Sequence, residues 1–336
     1  MGRYGGERQK VPALRWLKEC SPAAISEALR LVAPGLADYP IAVRELVNKD
    51  DPLWWSASAV VGGRFMAKFA WSRPAADRLA HEIAILAALA RESAVPFLPE
   101  IVASSTDPLL LVTRLVPGTA LFEVVNSIDR DQAGRQLAHF LGELHQARTR
   151  ERVEAAVGEL PPALLQPATT DVLRDRFGRW ARPDQRRAVM RWCDWADEVL
   201  ATPRPSVMVH ADLHGGNQVW DGEHLRVVVD FETVGLAEAE YDLRTFPGTG
   251  PGVELLNVTL RYYRRITGQD LAADRVMAWH LRTALGDALW RSEAGVPLPD
   301  HRTPMAWVDD LAKRFTALGI DPEAPPTEPR SERRAR

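Results

Sequence analysis

The sequence has few cysteines and no long hydrophobic segment, and both absences limit what the protein can be. Its 336 residues include two cysteines, Cys20 and Cys193, which are far apart and form no CxxC pair. A disulfide framework or a thiolate zinc site needs cysteines at closer spacing. The longest wholly apolar run, IAILAALA at residues 83–90, is far shorter than the roughly 20 residues that span a bilayer. We therefore expect neither a disulfide-stabilised scaffold nor a membrane protein.

The sequence also has no recognisable targeting segment and no strong excess of one charge. The first ten residues, MGRYGGERQK, contain no apolar stretch, and Gly6 stands where N-myristoylation requires serine or threonine. The formal net charge is −3, whereas binding to a phosphate backbone needs a dense set of lysines and arginines. We expect a cytoplasmic protein, a monomer or weak homodimer, whose partner is a small molecule rather than nucleic acid or membrane.

Length and composition are those of an ordered protein with more than one lobe. Hydrophobic residues make up 46% and charged residues 26% of the chain, which is typical of globular proteins. The length exceeds the roughly 100 to 200 residues of one domain. We therefore expect two lobes.

The N-terminal part, residues 1–116, has the pattern of a β-sheet lobe. Within a helical extension at 11–36, Ser21 is placed to cap a helix that begins at Pro22. Apolar runs bounded by turn residues then predict an antiparallel sheet, with candidate strands at 41–47, 54–61, 64–70, 100–104 and 109–116.

One amphipathic helix interrupts these strands. From Pro74 onward, apolar residues recur at helical spacing on a single face, namely Leu79, Ile83, Leu86 and Ala90. This helix should pack on the sheet.

Helical patterns dominate after the Pro-Gly pair at 117–118. Residues 117–318 form the predicted C-terminal lobe, which is mostly α-helical except for strands around 207–230. The last sixteen residues contain four prolines and no large apolar side chain, so residues 319–336 are expected to be a disordered tail. The fold class is α+β.

Most of the polar chemistry is concentrated in HADLHGGNQVW, residues 210–220. A strand precedes this loop and a hairpin follows it. If residues 221–224 form the hairpin turn, Asn217 lies opposite Val228, and Asp230 lies two residues beyond. Asparagine and aspartate oxygens suit Mg²⁺ when phosphates complete its coordination. Asp212, five residues before Asn217, could then face a substrate hydroxyl, which is the arrangement that phosphoryl transfer needs.

HADLHGGN followed by VVDFE resembles the motifs of the aminoglycoside phosphotransferase and choline kinase-like family of small-molecule kinases. The resemblance implies a bilobal protein-kinase-like fold with a hinge between its lobes, and ATP or GTP with Mg²⁺ as cofactors. It makes Asp212 the catalytic base and Asn217 and Asp230 the metal ligands. It also makes His210 a brace for the loop, and Asp242 a buried aspartate that holds the loop by hydrogen bonds.

A lysine and a glutamate of the N-terminal lobe complete the expected site. Lys68 interrupts the apolar strand FMAKFA, and Glu82 borders the apolar face of the helix, so the two could pair. In kinases such a pair fixes the lysine against the nucleotide phosphates. Asp77 is the weaker candidate, and a solvated surface lysine and glutamate are the alternative. By resemblance VTRLVPG is the hinge, with Arg114 and Val116 as nucleotide contacts.

Two other functions remain open. His210, Asp212 and His214 could form an H-x-D-x-H zinc or iron site of a hydrolase, and the protein could be a pseudokinase that only binds nucleotide. One feature departs from the family: residues 48–55 contain no glycine where relatives usually carry a glycine- or serine-containing loop over the phosphates.

The molecule that accepts the phosphoryl group is the feature that the sequence determines least. Residues 206–245 contain eight acidic residues and two arginines, so they either attract a cationic substrate or form a solvated acidic surface. The resemblance implies O-phosphorylation of a small hydroxylated molecule. An antibiotic such as an aminoglycoside is the leading hypothesis, and amino alcohols such as choline, homoserine, sugars and fructosamine are the alternatives.

Overall fold

A computed structural model describes residues 14–44, 52, 55–92, 94–163, 168–249, 253–298 and 301–322. Its contacts divide the chain into two compact units, the first comprising Met1–Arg91 and Leu98–Pro117, the second Glu92–Phe97 and Gly118–Arg336. Most of the glycine-free 48–55 stretch and residues 323–336 of the expected tail lie outside the described residues. None of the described helices is both long and apolar enough to cross a membrane.

The first unit contains a five-stranded antiparallel sheet, which confirms the predicted N-terminal sheet. The strand order is β1-β2-β3-β5-β4. The described part of β1 is shorter than the predicted 41–47, because it ends at Val43 and residues 45–47 are not described. The strands are β1 (Ile41–Val43), β2 (Ser56–Val61), β3 (Phe65–Ala70), β4 (Ile101–Thr106) and β5 (Leu109–Arg114).

Period-two alternation along β3 gives the sheet two different faces. Phe65, Ala67 and Phe69 are buried, and they belong to one apolar cluster with Ile25 and Leu29 of helix α1 (Pro22–Val32). The intervening residues of the strand point to the opposite face. The face that carries Lys68 is therefore the one opposite α1.

Both helices predicted in the first unit are present, α1 from the predicted Pro22 and the second from Arg73, one residue before the predicted Pro74. The Ser21 hydroxyl accepts a hydrogen bond from the Ala24 N–H at 3.2 Å and so caps α1. Helix α2 (Arg73–Glu92) buries Leu79, Ile83 and Leu86. The apolar face of α2 is thus confirmed over these three residues, whereas its last predicted member, Ala90, is exposed.

The second unit is mainly helical. Two short sheets interrupt the helices: one has the order β6-β8-β9, and in the other β10 pairs with β7. Its strands are β6 (Thr119–Ala120), β7 (Val207–Val209), β8 (Gln218–Asp221), β9 (His224–Val228) and β10 (Gly235–Ala237). Its helices are α3 (Leu121–Val124), α4 (Arg130–Leu144), α5 (Ala147–Val157), α6 (Thr170–Arg176), α7 (Pro183–Leu200), α8 (Glu254–Thr267), α9 (Ala273–Ala294) and α10 (Ala306–Leu318).

Helices α7, α9 and α10 share one apolar core. Phe315 of α10 lies between two tryptophans of α7, with ring centroids 5.4 Å from Trp192 and 5.1 Å from Trp195. Buried residues of α9, among them Leu281 and Leu285, complete the cluster. Aromatic pairs at these distances add to the stability gained from burial alone.

Helices α4 and α8 approach each other closely at Gly134. A Cβ atom at this position would lie 2.5 Å from the Val258 Cγ1 atom and 3.0 Å from the Thr259 backbone nitrogen. One of these neighbours is backbone and the other a stiff β-branched side chain. Close packing of the two helices therefore requires glycine at 134.

We predict that Gly134→Ala destabilises the protein although alanine is the better helix former. Overpacking costs about 1 to 3 kcal/mol, which outweighs the roughly 1 kcal/mol gained from helix propensity. Chemical denaturation measures the change. Arg135→Ala, on the exposed side of the same helix, is the control, and a more stable Gly134→Ala variant would contradict the packing argument.

A buried histidine links α9 and α10 to the segment that follows Asp242. His280 Nδ1 donates to the Arg244 carbonyl at 2.6 Å, and its Nε2 accepts from Arg314 Nη1 at 2.6 Å. Burial, and then the charge of Arg314, lower the pKa of His280 to about 3. His280 is therefore neutral in the folded protein at neutral pH.

This histidine should make stability depend on pH. Because an unfolded histidine titrates near pH 6.5, the unfolded chain binds the extra proton first as pH falls, and the free energy of unfolding decreases below pH 6.5. The expected slope is roughly 1.4 kcal/mol per pH unit for one such group. His280→Gln should reduce the slope measured by denaturation at pH 7, 6 and 5. An unchanged slope would show that His280 does not titrate in this way.

Candidate active site

The loop from His210 to Asn217 is fixed at its start by Asp242. One carboxylate oxygen of Asp242 accepts the His210 N–H at 2.9 Å, and the other accepts the Ala211 N–H at 2.7 Å. These bonds hold Ala211 at φ 66°, a left-handed conformation that is uncommon for a residue with a side chain. The loop therefore owes its shape to a residue about thirty positions later in the chain.

Asp242 is fully buried and remains ionised. It lies on a short 3₁₀ helix, Ala239–Leu243, and is 0% exposed. Burial alone would raise the pKa of Asp242, but its interactions with His145 and His210, of which the hydrogen bond from His145 is the largest, together outweigh burial and lower it. His145 Nε2 donates to Asp242 at 3.0 Å, and its Nδ1 forms a hydrogen bond with the Tyr263 hydroxyl at 3.1 Å. An ionised carboxylate accepts hydrogen bonds only, which is what the loop amides require.

His210 is a buried, neutral histidine with both ring nitrogens engaged. Its Nε2 donates to the Val229 carbonyl at 3.0 Å, and its Nδ1 accepts the Asp212 N–H at 3.2 Å. Phe231 contacts the ring edge to face, with the centroids 4.7 Å apart, and burial lowers the pKa of His210. No ring nitrogen is left for a metal, and among the described residues no group of three metal-ligating side chains contains a histidine. This geometry argues against the zinc or iron site.

Asp212 and Asn217 are in direct contact. Asn217 Nδ2 donates to the Asp212 carbonyl at 2.9 Å and to its carboxylate Oδ2 at 3.2 Å. Asp212 is half-buried and Asn217 is buried. Because the amide nitrogen of Asn217 is used on Asp212, its Oδ1 oxygen is the atom that can bind a cation.

The hairpin register differs from the prediction. Its turn contains two residues rather than four, since Asp221 pairs with His224, and an extra residue in β9 shifts the register between Val219 and Trp220. Such a bulge opposes two residues to one on the partner strand. Val228 consequently pairs with Gln218 rather than with Asn217, and the Val229 N–H donates to the Asn217 carbonyl at 2.9 Å.

The shifted register places Asp230 one residue, not two, beyond the partner of Asn217. Asp230 itself has φ 72°, so the chain turns sharply at this position. The amide and the carboxylate thus sit at the same end of the hairpin.

Two further residues, not predicted from the sequence, donate to carbonyl groups of the loop. Arg244 donates to the Ala211 carbonyl, and the Thr245 hydroxyl donates to that of Leu213 at 3.0 Å. They lie two and three residues after Asp242 in DLRTF. Their closeness to Asp242 in the sequence could have indicated this role, because a segment that binds the loop through one residue brings its neighbouring residues close to the same loop.

In the first unit, Lys68 and Glu82 form an ion pair. Lys68 Nζ lies 2.6 Å from Glu82 Oε2, and the two side chains are 25% and 2% exposed. Neither is therefore a solvated surface residue. Asp77, the weaker candidate, instead pairs with Arg73 at 2.9 Å on the exposed side of the helix.

The two predicted hinge residues differ in their surroundings. The Arg114 N–H donates to the Glu100 carbonyl at 2.9 Å, and its exposed guanidinium pairs with the Glu100 carboxylate at 2.8 Å. Val116 follows the end of β5 and is half-buried. Since Glu100 engages both the backbone and the side chain of Arg114, the hinge prediction rests on Val116.

Acidic residues in the 206–245 stretch form ion pairs and hydrogen bonds within the protein. Asp242 is held by His145, as described above, and Asp221 pairs with Arg226 at 2.8 Å. The buried Glu238 and Glu240 pair with Arg275 and Arg204. The negative charge counted along the sequence therefore overstates the attraction for a cationic substrate.

Comparison with known proteins identifies the family. The model of the phosphotransferase enzyme family matches residues 53–296. Viomycin phosphotransferase of Streptomyces vinaceus is 32% identical over 249 residues, which cover 70% of this chain and 84% of that protein.

Solved structures share the fold. The GDP complex of wild-type aminoglycoside 2'-phosphotransferase-IIIa aligns with a TM-score of 0.65 and 17% identity over 90% of this chain and all (100%) of that chain. A macrolide 2'-phosphotransferase from Brachybacterium faecium aligns with a TM-score of 0.57 and 21% identity over 85% of this chain and 97% of that chain. With its fold shared by these enzymes and its sequence matched by the family over most of its length, the chain belongs to the phosphotransferase enzyme family and is a kinase-like phosphotransferase that acts on a hydroxyl group.

Proposed function

We propose that the protein transfers the γ-phosphoryl group of ATP or GTP, with Mg²⁺, to a hydroxyl of a small antibiotic. The contact between Asp212 Oδ2 and Asn217 Nδ2 at 3.2 Å carries this proposal. It joins a carboxylate suited to accept a proton with an amide whose oxygen suits a hard cation, on a loop that Asp242 holds in place.

Asp212 acts as the base. As the acceptor oxygen bonds to the γ-phosphorus, the bond to the leaving nucleoside diphosphate breaks and the hydroxyl proton passes to the Asp212 carboxylate. Phosphoryl transfer depends mostly on positioning and charge stabilisation, so a base on a rigid loop is more effective than a mobile one.

Asn217 and Asp230 would hold the metal. The Asn217 amide oxygen and the Asp230 carboxylate are hard oxygen donors, the set with which Mg²⁺ is bound alongside waters and phosphate oxygens. When bound, Mg²⁺ neutralises charge on the phosphates. Both proposed metal ligands lie at the end of the hairpin, and neither is a histidine of the loop.

Lys68 is the proposed phosphate contact of the nucleotide-binding lobe, residues 1–116. Its ion pair with the buried Glu82 fixes the ammonium group, so less side-chain entropy is lost when an anion binds. Val116, with Arg114, marks the segment proposed to bind the nucleobase. Catalysis and acceptor binding are assigned to residues 117–318.

An antibiotic acceptor is supported by the relative with 32% identity, which is a viomycin phosphotransferase. Viomycin is therefore the first acceptor to test, ahead of the aminoglycosides and macrolides named for the structural neighbours. The protein would then confer resistance by modifying the drug.

A transfer assay tests this proposal. The purified protein, with Mg²⁺ and labelled ATP or GTP, is incubated with viomycin, aminoglycosides, macrolides and amino alcohols, and label on the acceptor is measured. We expect transfer to at least one antibiotic. Transfer only to an amino alcohol would support a metabolic kinase. Nucleotide binding without transfer to any acceptor would support a pseudokinase.

We predict that Asp212→Asn lowers kcat by about 10²- to 10⁴-fold, the contribution of a positioned base, while the nucleotide Kd changes little. Steady-state kinetics and calorimetric titration measure the two quantities. Asp221→Asn, in the surface ion pair of the hairpin turn, is the matched control. Activity of Asp212→Asn within about threefold of wild type would exclude Asp212 as the base.

A further inference from the structure

His214 is the second histidine of the loop, and its ring is hydrogen-bonded within the loop itself. Its Nδ1 accepts the Gly216 N–H at 2.9 Å. A neutral imidazole carries one proton, so an accepting Nδ1 places that proton on Nε2. The Nε2 atom lies 3.6 Å from Asp212 Oδ2.

The two nitrogen donors converge on the same carboxylate oxygen. Asn217 Nδ2 donates to Asp212 Oδ2 at 3.2 Å, and His214 Nε2 lies 3.6 Å from the same oxygen. Among the described residues of the second unit, none donates to Oδ1. The arrangement therefore distinguishes the two oxygens and leaves Oδ1 for the acceptor hydroxyl.

The His214 ring is held by an aromatic neighbour and by the glycines that follow it. Phe122 stacks on it with centroids 6.5 Å apart and planes 19° apart. A Cβ on Gly216 would lie 2.8 Å from His214 Cε1, and a Cβ on Gly215 would lie 2.7 Å from Phe122 Cδ1. The two glycines are thus required for space, because any side chain would displace one of the rings.

We propose that His214 is a positioning residue for the catalytic carboxylate. Its Nε2–H, oriented by Gly216 and Phe122, fixes Oδ2 of Asp212 so that Oδ1 faces the acceptor hydroxyl. The inference rests on the proposed function, in which Asp212 is the base. The 3.6 Å separation is longer than a hydrogen bond, and catalytic contacts of this kind tighten when substrate binds.

A purely structural role would have a different signature. The His214 side chain is 44% exposed, and substitutions at exposed positions usually change stability little. A loss of kcat without a loss of stability therefore separates positioning from folding.

Two substitutions separate the N–H donor from the ring. His214→Phe keeps an aromatic ring that can stack on Phe122 but has no donor, whereas His214→Gln keeps an N–H that can reach Oδ2. We expect His214→Phe to lower kcat by about 10- to 100-fold, the scale of a misplaced catalytic group. The KM values for the nucleotide and for the acceptor should stay within about threefold of wild type. His214→Gln should recover most of the activity.

A third substitution displaces the ring without removing it. Gly216→Ala should lower kcat because its Cβ pushes the His214 ring aside. His139→Phe, an exposed histidine on α4, is the control for the change of side chain. Thermal unfolding of every variant establishes that the proteins are folded.

The outcomes distinguish this inference from the function on which it rests. Wild-type kcat in His214→Phe, with Asp212→Asn inactive, would overturn the positioning role and leave Asp212 as the base. Equal loss in His214→Phe and His214→Gln would show that the donor does not matter and would also overturn it. Retained activity in Asp212→Asn would overturn the proposed function and this inference together.

Discussion

The buried carboxylate of Asp242 is the contact on which the rest of the site depends. It accepts two consecutive backbone N–H groups, from His210 and Ala211, and it is itself held by His145. A buried charge is costly unless it is paired and hydrogen-bonded. The hydrogen bonds from His210, Ala211 and His145 together meet that requirement. Without this carboxylate, two buried donors would lose their acceptor, at about 1 to 3 kcal/mol each, and Ala211 would have no reason to keep its left-handed conformation.

The effect of this anchor extends along the loop. With its start fixed, His210 can bond both the Asp212 N–H and the Val229 carbonyl, which joins the loop to the hairpin strand. Asp212 is then held from the other side by Asn217. The three histidines of this region thus have separate tasks: His145 supports the anchor, His210 braces the loop, and His214 is proposed to orient the carboxylate. A site built in this way is ordered before substrate arrives, which is how enzymes stabilise developing charge at little reorganisation cost.

Sequence patterns predicted the elements better than the contacts between them. The sheet of the first unit and helix α2 follow from alternation and from helical spacing, because one face of each must be buried. The hairpin register could not be predicted, since a one-residue bulge leaves no clear mark in the sequence. The acidic 206–245 stretch was open to two interpretations for a related reason: Glu238 and Glu240 are neutralised by Arg275 and Arg204, which lie dozens of residues away in the chain.

The sequence by itself determined the local chemistry of this protein. The five-residue spacing from Asp212 to Asn217 and the two glycines between them put the amide within reach of the carboxylate across a short loop, whose start Asp242 holds in place. Tertiary structure decided which groups are buried, which are charged and which carboxylate oxygen of Asp212 remains available for the acceptor hydroxyl. Asp242 stays ionised because helix α4 ends where His145 can reach it, and Lys68 is fixed because α2 buries Glu82 beside it. Burial and long-range ion pairs arise only when distant segments pack together, so spacing along the chain does not reveal them.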